Sequence, residues 1–153
     1  MITKYLALYL RDVRQIKNIV GDHIYAGRIP KSRSPKFALL LRTIAMQPDY
    51  NLASEFGAAQ PTVQIEGLSS QPGADQKIVE LMDYCRLAMN TYTAGPAWMG
   101  TDATRVWVTG CQVARGAMST PVPDVDASNQ WIYRRSLDVT ITHHQDVVLP
   151  TLN

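Results

Sequence analysis

The sequence predicts an α+β fold: a four-stranded, mainly antiparallel sheet with two helices packed on one face, in the order α-β-β-α-β-β. Three observations carry this. Two stretches repeat apolar residues at three- and four-residue steps. Four others run apolar, or alternate, over strand lengths. The strands fall in two pairs, each preceded by a helix.

The first helix is expected over residues 2–20. Ile2, Tyr5, Leu6, Tyr9, Val13, Ile16 and Val20 share one face, with Arg11, Arg14, Lys17 and Asn18 largely opposite. Gly21 stops it, because glycine enters the left-handed region without steric cost. Residues 22–36 hold two prolines, a glycine and the basic residues Arg28, Lys31, Arg33 and Lys36, so they read as an irregular, solvated connector. Phe37 to Met46 is a strongly apolar strand, covered on both faces except near Arg42 and so placed centrally.

Residues 47–60, with Pro48 and Gly57, read as a polar loop, and Thr62 to Leu68 as a shorter strand. Val63, Ile65 and Gly67 fall on one face of that strand, Gln64 and Glu66 on the other. The pair makes a hairpin with a long tip. Long tips on small domains are often contact elements. Gln71 to Asp75 supplies a break and helix-start residues for a second helix. Its stripe is Ile78, Leu81, Met82, Cys85, Met89 and Tyr92, and Gly95-Pro96 ends it. Burying six such side chains contributes on the order of 10 kcal/mol before entropy is counted, enough to dock the helix on a sheet.

Arg105 to Val113 is the third strand, Val106 and Val108 alternating with Trp107 and Thr109. Residues 114–129 carry little apolar surface and read as a flexible loop. In the last strand Trp131, Tyr133, Leu137, Val139 and Ile141 alternate with Arg134, Ser136, Asp138 and Thr140. Only Arg135 breaks the pattern. Residues 145–153 read as a short flexible tail. With 153 residues, one domain over residues 1–153 is expected.

Composition narrows the function classes. A net charge of +2 gives no polyelectrolyte signal for nucleic acid. The apolar run Tyr5 to Leu10 is too short to span a membrane, and no leader pattern is visible, so a soluble chain made in a reducing cytoplasm is expected. Cys85 and Cys111 both lie in apolar contexts and read as buried free thiols. His143 and His144 are neighbours on a strand and point to opposite faces, which does not suit a shared metal. There is no nucleophile elbow and no phosphate-binding glycine loop. Asp124 and Asp126 sit in the flexible loop, where acid–base work lacks rigid support. Trp107 and Trp131 lie in strands, where aromatics pack in a core or against a neighbouring subunit. No enzymatic activity, cofactor or metal is expected.

The run Ile19-Val-Gly-Asp-His-Ile-Tyr-Ala-Gly-Arg-Ile-Pro30 resembles the stretch after the first helix in bacteriophage tail-completion, or tail-terminator, proteins. There a valine-glycine-aspartate, any residue, isoleucine-tyrosine phrase leads to a proline. Similar in order are the apolar strand, the Thr62-Val-Gln-Ile-Glu66 strand, the amphipathic helix, and a closing Tyr133-Arg-Arg-Ser-Leu-Asp-Val139 strand after an acidic variable loop. The likeness covers residues 2 to about 144, and the family pattern is not matched across 47–60 or 94–103.

The resemblance implies a virion protein of the tail–neck region, assembled in the host cytoplasm. It would form a homo-oligomeric ring, a hexamer, capping the last ring of the tail tube and ending its polymerisation. One face would meet the tail-tube protein and the other a head-completion or neck protein, with DNA only as passing cargo and no membrane. The expected contact residues lie in the two loops: Tyr50, Glu55 and Phe56 in one, Arg115, Met118, Asp124 and Asp126 in the other. Arg33 and Lys36 are the candidates for facing the lumen. The rival readings are a tail-tube subunit or head–tail connector of the same machine, and a small cytoplasmic ligand-binding or enzymatic α+β domain.

Overall fold

The apolar face expected over residues 2–20 is divided between two helices, α1 (Ile2–Arg11) and α2 (Arg14–Val20). At the join the Asp12 and Val13 amides bond three residues back, to the Tyr9 and Leu10 carbonyls, and Val13 turns extended (φ −77°, ψ 114°). The break lets Leu10 and Ile16 both reach zero exposure. The face of α1 that is buried is Ile2, Thr3, Leu6, Ala7 and Leu10; Tyr5 and Tyr9 lie at its half-buried margin. Gly21 ends α2 as expected, at φ +60° with its N–H on the Lys17 carbonyl. The computed structural model describes residues 2–30, 36–49, 56–71, 73–101, 103–114 and 133–146.

The four-stranded sheet is not what forms. The chain builds a six-stranded mixed sheet, curled into a half-barrel, with strand order β1-β2-β3-β6-β5-β4. The strands are β1 (Ile24–Ala26), β2 (Phe37–Asp49), β3 (Phe56–Ser69), β4 (Ala97–Thr101), β5 (Thr104–Val113) and β6 (Tyr133–Asp146). Strand β1 pairs parallel to β2; every other neighbour is antiparallel. Two strands lie where none was expected. Strand β1 arises inside the basic connector because Ile24 is driven into the core and Arg11 donates a hydrogen bond to its carbonyl at 2.9 Å. Strand β4 returns against β5 through a two-residue connection.

Strand β2 is next to the short β1, and β3 and β6 hold the centre. Its first half is covered on both faces, with Ala38 and Leu40 buried as well as Leu39 and Leu41. Strands β2 and β3 run further than expected. Residues 47–49 pair with 58–60, and Phe56–Ala59 pair in turn with His143–Asp146, so most of the expected 47–60 loop, and the start of the expected tail, is strand. The 50–55 tip, the 115–132 segment and 147–153 lie outside the described residues.

The helices cover one face of the sheet. Leu39, Leu41, Val63, Ile65, Leu137, Val139, Ile141, Val108 and Met99 meet Leu6, Leu10, Ile16 and the stripe Ile78, Leu81, Met82, Cys85, Met89 and Tyr92. That stripe spans α3 (Asp75–Ala88) and the short α4 (Asn90–Ala94), and all six residues are buried as the periodicity predicts. Gly67 permits the close approach of α3, since a Cβ there would sit 2.7 Å from the Met82 sulfur. Arg135, the residue that breaks the alternation of the last strand, lies at the N-terminal end of α3. Its Nε is 3.8 Å from the Asp75 carboxylate, an ion pair too long to be a hydrogen bond.

The β4–β5 hairpin depends on Gly100. Its φ is +120°, and a Cβ there would overlap the Thr104 carbonyl oxygen. Gly100→Ala is expected to lower unfolding free energy by roughly 1–3 kcal/mol, by strain at a glycine-only conformation. Gly95→Ala, where a Cβ meets nothing within 4 Å, is expected to be near neutral. Urea denaturation of the two variants beside the parent checks both.

Candidate functional site

The face of the sheet turned away from the helices carries the polar side chains. At its centre the Glu66 carboxylate, buried to 5% exposure, bridges two arginines. Arg134 Nε donates to one oxygen at 2.7 Å, and Arg42 donates to the other at 2.8 Å and to Gln64 at 3.0 Å. Alternation places these residues together: Arg42, Glu66 and Arg134 come from β2, β3 and β6, three adjacent strands. Both guanidiniums are near half exposed. The cluster is a clamp across the sheet that shows positive charge to its surroundings.

The exposed large apolar side chains among the described residues are Ile44, Leu87, Trp98 and Trp107. Trp98 and Trp107 face each other across β4 and β5, ring centroids 5.1 Å apart and edge to face, and the Arg105 guanidinium lies 4.2 Å over the Trp98 ring. This makes an aromatic–cationic patch on one flank of the sheet. Trp98 is 51% exposed. Ile44, at 50%, lies near the opposite flank, where the β2–β3 register shifts between Thr43 and Ala45 and the extra residue of a β-bulge is re-aimed. Strand β1 reaches only to Leu41, whose carbonyl takes the Gly27 N–H, so beyond it β2 is the edge.

A cleft of about 310 Å³ opens where two ladders are irregular. The β5–β6 register shifts between Val108 and Gly110, and β3–β6 pairing lapses between Ala59 and Thr62, where Pro61 has no N–H to give. Gln60, Thr93, Thr109, Gln112, Thr140 and Thr142 are among its lining residues. Among the described residues its titratable lining groups are Tyr92 and Cys111. Burial pushes the Cys111 thiol up to about 11, and burial raises the Tyr92 hydroxyl, which donates to the Trp98 carbonyl. Neither is poised for proton transfer near neutrality. Cys85 is wholly buried and its thiol is pushed up to about 12 by desolvation, the behaviour of a packing residue.

Among the described residues no three His, Cys, Asp or Glu side chains gather as a metal site would need, and no helix is long and apolar enough to cross a membrane. His143 is half-buried with Nδ1 on the His144 carbonyl, and His144 is exposed. In the Val20–Tyr25 phrase, His23 Nδ1 and the Tyr25 hydroxyl are 2.9 Å apart.

Of the residues singled out in sequence, Lys36 is exposed, and its carbonyl receives the Ser69 hydroxyl at 2.9 Å. Phe56 opens β3, its backbone opposite Asp146. Arg33, Tyr50, Glu55, Arg115, Met118, Asp124 and Asp126 lie outside the described residues. Sequence reasoning missed Ile44, which looks like one more core residue of an apolar strand. It also missed that Trp98 faces Trp107. The Gly100-Thr101-Asp102 turn signal midway between the two tryptophans could have shown that pairing.

No family profile matches the chain, and no curated protein matches it in sequence. The likeness to tail-completion proteins therefore rests on the motifs and their order.

Two outcomes test these groups. Glu66→Gln leaves two guanidiniums facing a neutral amide and is expected to cost on the order of 1–3 kcal/mol in chemical denaturation. Arg42→Ala alone should cost under about 1 kcal/mol, because that side chain is solvent-screened. His143 has its pKa lowered from 6.5, chiefly by burial, so the folded state favours the neutral ring. That contribution is complete above the unfolded value and is lost as pH falls through the folded one. Thermal melts from pH 7.5 down to 5 should show a fall in stability that is shallower in His143→Gln.

Proposed function

We propose that this chain is a structural, non-enzymatic subunit of a long-tailed bacteriophage virion. In this reading it closes into a ring on the last layer of the tail tube, ends tube polymerisation, and presents its other face to a head-completion or neck protein. The ring is a hexamer, and DNA passes through it as cargo.

The observation that carries the reading is the ordered series of motifs, from Val20-Gly-Asp-His-Ile-Tyr25 to Tyr133-Arg-Arg-Ser-Leu-Asp-Val139. These residues also have plain physical work in the fold. Val20 and Ile24 are core residues on either side of the Gly21 helix stop, and Leu137 and Val139 belong to the central strand β6. Exposed apolar residues on two flanks of one sheet suit a protein that works by contact. The chemistry required is small: such a subunit needs a stiff sheet and complementary surfaces, and no activated side chain.

Negative-stain microscopy of the purified protein tests this. Single closed rings that do not stack are the expected outcome. Long tubes would favour a tail-tube subunit instead, and dispersed monomers at high concentration would remove the reading.

A further inference from the structure

We draw no further inference here: the strongest candidate, the exposed Trp98–Trp107 patch with Arg105 over it on the β4–β5 flank of the sheet, carries nothing because nothing in the structure shows what covers it.

Discussion

The sheet exists as one sheet only because β6 lies between β3 and β5. Strands β1, β2 and β3 form one set, β4 and β5 another, and among the described residues β6 is the strand that links them by hydrogen bonds. Its contacts are long-range: Thr62 and Thr140 share a hydroxyl–hydroxyl hydrogen bond at 3.0 Å across 78 residues of chain. Leu137, Val139 and Ile141 must be in place before Val63 and Ile65 on one side, or Val108 on the other, are sealed from water. Loop-closure entropy opposes that step, so the helices matter as a template. Helix α1 touches β1, β2, β4 and β5, and α3 touches β3 and β6. The helical layer can thus hold the two strand sets in register while β6 enters.

The charges reinforce the same junction from both faces. On the polar face Glu66 ties β2, β3 and β6 through Arg42 and Arg134. On the helix face Arg135 reaches from β6 toward Asp75 at the start of α3. Three successive residues of β6 therefore do different things: Arg134 clamps outward, Arg135 approaches the helix, and Ser136 continues the ladder opposite Glu66. A carboxylate as buried as Glu66 is tolerable because both its oxygens are met by cationic donors that remain partly in water.

Elements whose periodicity is sustained were legible from sequence. The α3–α4 stripe and the alternation in β5 and β6 are of this kind, since each repeats its pattern long enough to exclude the other period. Strand β1 was not legible because three residues in a Gly- and Pro-bounded basic stretch carry no period of their own; only β2 beside them makes them a strand. Strand β4 was obscured by the Gly-Pro before it and by Gly100 within it. The α1–α2 break has no glycine or proline to announce it and is imposed by packing Leu10 and Ile16 on a curled surface. At the candidate site, alternation gave the facing of Trp107 and Arg134, but the exposure of Ile44 depends on a bulge that no local residue signals.

That bulge connects the fold to the functional reading. Strand β2 is apolar throughout its first half because both faces there are covered, and the coverage stops at Arg42. Beyond that point the β2–β3–β6 arm continues past the pairing reach of β1. An isoleucine at the root of such an arm, half exposed, adds little to the stability of a monomer. The same is true of two tryptophans on the far hairpin, which stack on each other and on Arg105 rather than on the core. Side chains of this kind acquire their full burial only when another surface covers them.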